Sequence, residues 1–328
     1  MTPVTAMVVG PEEHGVVRHA MTIAEAVDAR IERHLDLSTV TAGRADTGVC
    51  HWHFTDRLFG ASIEEATVSF VDALAVGTAR HVVTLHDVPA PTGSSRSARR
   101  VDGYRQVADA ADGLVVASIH ERARLRRAGI TAPVLVIPLP IVPLAAPTTQ
   151  RRVSRRRSVA ILGFVYPGKG HAEVIAAVGS LPPDVQVVAL GRPSDGHQPL
   201  VDCLRRTATS MDRRLLVTGF LDDATLADAL HRVDVPVVAA RSVSASASVA
   251  TWIAAGRRPL VARNAYATEL AAYDADLVTL YDPEDLTVAI ERALDDPATT
   301  RRHGSIPQAL QLSAVAEAHC ELYRRTAR

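Results

Sequence analysis

Short apolar runs alternate with longer amphipathic stretches along the whole chain, and this rhythm narrows the fold more than any single motif does. In the first half the runs are TAMVVG (5–10), TGVCHWHF (47–54), HVVTLHD (81–87), GLVVAS (113–118) and VLVIPLP (134–140). Between them lie helical patterns such as Val17–Ala29, Ser62–Arg80 and Ile119–Ala128. The second half restarts with SVAILG (158–163), VQVVALG (185–191), RLLVTGF (214–220), VDVPVVAA (233–240), RRPLVAR (257–263) and LVTLYD (277–282). Strands that alternate with helices form parallel, doubly wound sheets. The expected organisation is a first α/β domain over 1–143, a linker over 144–157 and a second α/β domain over 158–305. The last periodic segment, 306–328, has no strand after it, and a terminal helix there would pack back across the first domain.

The 328 residues suit two such domains. The formal net charge is zero, so no global field draws in nucleic acid or an acidic membrane. Cys50, Cys203 and Cys320 are far apart and odd in number, which points to reduced thiols in a cytoplasmic protein. MTPVTAMVVG has no basic segment before its apolar run, and no run approaches the roughly 18 residues of a membrane span.

GFVYPGKGH (163–171) contains Lys169, the one lysine among 36 basic residues. Gly163, Gly168 and Lys169 match the spacing G-x-x-x-x-G-K of a phosphate loop. Such a loop needs Ser or Thr next to hold magnesium, and Gly170 stands there. A dinucleotide fold needs G-x-G-x-x-G after its first strand, and neither GPEEHG nor GFVYPGKG supplies it.

The order of motifs resembles a GT-B glycosyltransferase of the retaining family-4 kind over about 280 residues. Its second domain opens with strand–G-R-x-x-x-x-K-G–helix, matched here by Gly163 to Gly170. GVVRHAMTIAEAV (15–27), HWHFTDRLFG (51–60) and VVTLHDVP (82–89) are similar to its first-domain loops, as is ADGLVVASIHERARLRRAGI with VLVIPLPI (111–141). LLVTGFLDDATLADALHRVDVPVV (215–238) is similar to a second-domain passage.

The resemblance implies two Rossmann-like domains and no metal or other cofactor. It also implies transfer, with retention, from a nucleotide-diphosphate sugar to a glycan, metabolite or lipid acceptor. Lys169 would meet the leaving diphosphate, with Gly163, Gly168 and Gly170 shaping its loop. His86 would lie near the transferred sugar. Gly10, His14, Gly15 and His53 would belong to the acceptor side, where His14 contacts acceptor or phosphate.

The match fails at three positions. The family's arginine after the first glycine is Phe164 here, and its two glutamates in E-x7-E fall on Val243 and Thr251. Arg192, at the next strand end, either replaces the lost arginine or lies on the surface. Ser242, Ser244, Ser246 and Ser248 either supply hydroxyls and an anion nest or cap the following helix. The donor site is then rebuilt, or lost in a non-catalytic relative that binds a partner. A nucleotide-sugar epimerase of the same architecture is a third reading. Asp222 and Asp223 read as a helix cap. His51 and His53 share a strand face but lack a third metal ligand at recognisable spacing. Arg151–Arg157 reads as a solvated linker face that could also make a weak peripheral membrane contact.

Overall fold

The computed structural model describes residues 3–40, 48–144, 156–240 and 243–328. They form two compact units, 1–140 with 308–328, and 141–307.

The first unit contains β1 (Val4–Val9), α1 (Gly15–Ala26), β2 (Arg30–His34), β3 (Val49–Phe54), α2 (Asp56–Phe59), α3 (Ile63–Leu74), β4 (Arg80–Leu85), α4 (Ser95–Asp109), β5 (Gly113–Val116), α5 (Ile119–Arg127) and β6 (Val134–Val136). The strands form one parallel sheet in the order β2-β1-β3-β4-β5-β6. Such a sheet carries helices on both faces and buries both. Alternate residues of β3 therefore serve two cores. Trp52 and Phe54 pack with Phe70, Val83, Leu85 and Tyr104, while Val49 packs with Ile23, Val82 and Val115. Two helices begin in capping boxes: Ser62 accepts from the Glu65 N–H while Glu65 accepts from Ala61, and Ser118 and Glu121 repeat the pattern with Ala117.

The second unit contains β7 (Arg157–Leu162), α6 (His171–Gly179), β8 (Val185–Leu190), α7 (Gln198–Ser210), β9 (Leu215–Val217), α8 (Asp223–Arg232), β10 (Val235–Val238), α9 (Ala247–Ala254), β11 (Leu260–Ala262), α10 (Ala265–Tyr273), β12 (Thr279–Tyr281) and α11 (Leu286–Asp295). Its parallel sheet runs β12-β11-β10-β7-β8-β9. The terminal helix α12 (Leu312–Thr326) belongs to the first unit, where Val315, Ala316 and Tyr323 pack against Ile23, Val82 and Val115.

The division between units falls at Pro140/Ile141 and Pro307/Gln308. Of the expected linker, 145–155 lie outside the described residues, and so does most of the arginine run. Arg157 is not linker: it opens β7 and pairs with Asp184 at 2.8 Å. The terminal helix starts at Leu312, because 306–311 hold Pro307 and a short 3-10 turn at Gln308–Leu310. No described helix is long and apolar enough to cross a membrane.

Arg257 is the largest charged group in the second unit's interior, at 1% exposure. It has no carboxylate in its hydrogen-bond shell. Instead Nη1 donates to the carbonyls of Leu230 at 2.7 Å and Val233 at 2.6 Å, Nη2 to Asp234 O and Thr300 Oγ1, and Nε to Thr300 O. The guanidinium thus closes the carboxyl end of α8, where the helix dipole favours a cation. Burial lowers its pKa to about 10, which still leaves it charged at neutral pH. Arg257→Met strands these carbonyls, and should cost about 3–5 kcal/mol. Arg257→Lys has the charge without the fork and should fall between, as read by urea unfolding.

Candidate active site

In open α/β sheets ligands bind at the carboxyl ends of the strands. Each unit brings chemically competent side chains to that edge.

In the second unit, Gly163 (φ +106°) follows β7 and the chain turns through Gly168 and Gly170 into α6. Gly170 caps the helix at φ +98°, and a Cβ there would lie 2.5 Å from Ala239 Cβ and 2.8 Å from its backbone carbon, so the turn rests directly on the end of β10. The first N–H groups of α6 have no carbonyl within the helix and point toward this turn. Lys169 folds back over Gly163: a Cβ on that glycine would be 3.4 Å from Nζ. The ammonium donates to Ser248 Oγ at 3.2 Å and stands 6.0 Å from the Tyr166 ring centre. Among the described residues no carboxylate pairs with it. Burial alone lowers its pKa to about 8. His171, the next side chain but one, is 3% exposed, and neither of its ring nitrogens has a hydrogen-bond partner. Burial, with Lys169 second, lowers it to about 4, so it stays neutral beside the ammonium.

The serine loop supplies a helix cap and a partner for Lys169. Ser246 caps α9, accepting from Val249 N at 3.3 Å, and its Oγ lies 3.0 Å from Ser248 Oγ. Ser248 in turn receives Lys169. Ser242 lies outside the described residues. Thr251 donates to Ala247 O at 2.8 Å within its own helix, which leaves its lone pairs as acceptors. Arg192 stacks on the Phe164 ring at 4.9 Å and pairs with Asp195 at 2.9 Å. A cation thus lies on the very side chain that carries no charge. Asp222 caps α8 through Thr225 N at 2.7 Å.

In the first unit, Gly10 follows β1 at φ +119°, where a Cβ would meet Leu58 at 2.7 Å. Gly15 is exposed, and a Cβ there would touch nothing, so neither space nor φ demands a glycine. His14 caps α1: its Nδ1 accepts from Val16 N at 3.2 Å, so that nitrogen carries no proton. Burial lowers its pKa, opposed by Asp87. His86 follows β4. Tyr104 donates to its carbonyl at 2.6 Å, and Arg100 holds Asp56 through two bonds of 2.8 Å while also reaching Asp87 O. These α4 side chains, with Thr55 on Asp87 at 3.1 Å, fix a turn in which Asp87 sits at φ +51°.

His53 meets His86 directly, with Nδ1 and Nε2 3.0 Å apart. His51 lies beside His53 at 4.5 Å between centroids and bonds Thr84 and Tyr323, each at 2.8 Å. His19 from α1 and His319 from α12 complete a column of five imidazoles. His19, His319 and Tyr323 were not singled out in the sequence. His319 and Tyr323 are four apart, so they share a helix face, but nothing local says that the face meets β3. Among the described residues no group of His, Cys, Asp or Glu has a geometry that could hold a metal ion.

No family profile matches the sequence. The chain is 28% identical to a D-inositol 3-phosphate glycosyltransferase of Kineococcus radiotolerans, over 95% of this chain and 74% of that one. Among solved structures it is similar to a sucrose-phosphate synthase of Thermosynechococcus elongatus, with a TM-score of 0.77, 16% identity and 99% of each chain covered. It is also similar to Anabaena HepE in complex with UDP and glucose, with a TM-score of 0.73 and 16% identity over 100% of this chain and 98% of that one. The chain therefore has the GT-B fold, as the motif order implied.

The buried imidazoles tie stability to pH. His86, His171 and His319 are each lowered to about 4, burial being the first cause in all three. Unfolded, each would take up a proton near pH 6.5. Between about 4 and 6.5 the unfolded chain binds more protons, so stability is complete above this window and falls as pH drops through it. Each group supplies at most about 1.4 kcal/mol per pH unit. Urea unfolding should show a loss of roughly 2–5 kcal/mol between pH 6.5 and 5.

Proposed function

We propose that the protein is a metal-independent retaining glycosyltransferase. It moves a sugar from a nucleotide-diphosphate donor to an acceptor hydroxyl. The observation that carries this reading is Lys169: a half-buried ammonium with no carboxylate partner among the described residues, held by a serine at a glycine turn before a helix N-terminus. A desolvated, unpaired cation is costly unless an anion meets it. A diphosphate is such an anion, and the helix N–H groups favour it further. The glycosyltransferase relative supports sugar transfer, and the neighbour in complex with UDP and glucose supports this donor class.

The role of each group follows from where charge develops. As the bond from the sugar's anomeric carbon to the phosphate oxygen breaks, negative charge collects on the leaving diphosphate. Lys169 and the α6 N–H groups stabilise it, and Arg192 on Phe164 adds a second cation. The acceptor hydroxyl bonds to the anomeric carbon on the face that the phosphate leaves, and its proton passes to a departing phosphate oxygen. Ser246, Ser248 and Thr251 offer hydroxyls to the donor where the family has carboxylates. His86 hydrogen-bonds a sugar hydroxyl. The acceptor side comprises Gly10, His14, Gly15 and His53. No step calls for a metal, because protein cations take the leaving charge.

Val243 in place of a glutamate favours a second reading, a non-catalytic relative that binds without turnover. A thermal-shift screen with UDP, GDP, ADP and TDP and their common sugars, run without metal, separates the two. One nucleotide should raise the melting temperature in the native protein and not in Lys169→Ala. Sugar transfer or donor hydrolysis should fall at least about 100-fold in that variant. Activity at limiting donor should also decline above about pH 8, as Lys169 loses its proton. A flat screen at millimolar nucleotide would overturn the transferase reading.

A further inference from the structure

The contact between His53 and His86 fixes more than position. Their rings lie 20° from coplanar with centroids 5.3 Å apart, while Nδ1 of His53 and Nε2 of His86 are 3.0 Å apart. The centroid spacing exceeds the nitrogen spacing by little more than two ring radii. The imidazoles therefore meet end to end, not face to face, and one proton lies on the line between them. Neutral imidazole has one N–H and one lone pair. Two arrangements satisfy the bond. If His86 donates from Nε2, the proton of His53 must also be on Nε2. If His53 donates from Nδ1, the proton of His86 must also be on Nδ1. The pair is thus matched: both rings take one tautomer or both take the other. The Nε2–H form is the intrinsically favoured tautomer of a histidine side chain, so the matched pair selects it twice.

The surroundings hold this choice. His19 stands perpendicular to both rings, at 5.3 and 5.6 Å, and His51 lies against His53. The backbone of His86 is tied through its N–H to Phe54 O and through its carbonyl to Tyr104. Among the described residues, His53 is the side chain that hydrogen-bonds the His86 ring.

We propose that His53 is a positioning residue that holds His86 in its Nε2–H tautomer and so presents Nδ1 of His86 as a bare acceptor. A bare nitrogen accepts from a neutral hydroxyl and repels a phosphate oxygen. His86 then selects a hydroxyl-bearing group and not an anion. That consequence rests on the transferase reading, whereas the tautomer does not.

Long-range imidazole ¹H–¹⁵N correlation spectra at pH 7.5 test it on the intact protein, with ¹⁵N-histidine and His86 assigned by its loss in His86→Gln. In the native protein His86 should show one tautomer, protonated on Nε2. His53→Asn places an amide oxygen near the lost Nδ1 and should keep that tautomer. His53→Leu removes the acceptor and should shift His86 to an averaged mixture. A native His86 protonated on Nδ1 would overturn the proposal, as would a mixture in the native protein or in His53→Asn. A pure Nε2–H signal that survives His53→Leu would do so too. None of these readouts needs turnover, so a failed nucleotide screen and a failed tautomer lock are told apart.

Discussion

Parallel strand pairing governs what each unit can do. Helices cover both faces of each sheet, so the strand interiors must be dry and the carboxyl edges are where polar groups reach a ligand. The Lys169 turn and the His86 turn both lie at such edges. The constraint also explains why the histidines of β3 matter. His51 and His53 interrupt a fully buried strand, where an unpaired polar group would be costly. They are tolerated because each finds a neutral partner: Thr84 and Tyr323 for one, His86 for the other.

Arg257 and Lys169 of the second unit show why arginine and lysine are not interchangeable. Arg257 has a planar fork, and its environment is a ring of fixed carbonyls that the fork fills. Lys169 lies over Gly163 as a compact ammonium that donates to a single partner, Ser248. The first cation is saturated by protein. The second has one hydroxyl and keeps capacity for something else.

The central strands were legible because a strand buried on both faces reads as an apolar run. β2 was not, because Arg30–His34 forms an edge strand in which one apolar residue, Ile31, stands among charged residues and a histidine. α4 opens with the polar stretch 95–100, and its buried residues, Val101, Gly103, Tyr104, Val107 and Ala108, all fall in its later turns. The glycine spacing exposed the Lys169 loop, yet its partner Ser248 is 79 residues away, and only the tertiary fold joins them. The same holds for Arg192 on Phe164, where two unremarkable residues from adjacent strand ends make one feature. Serines read equally as cap or ligand in the sequence turn out to divide the work, Ser246 to the helix and Ser248 to the ammonium.

The return of α12 to the first unit has a consequence for biogenesis. The second unit is continuous in sequence, and its core is complete once α11, which supplies Leu286, Ile290, Ala293 and Leu294, has been made. The core of the first unit is not: Val82, Val115 and His51 stay uncovered until Val315 and Tyr323 have been synthesised. The packing of the amino-terminal sheet is therefore completed by residues that lie more than 170 positions beyond its last strand.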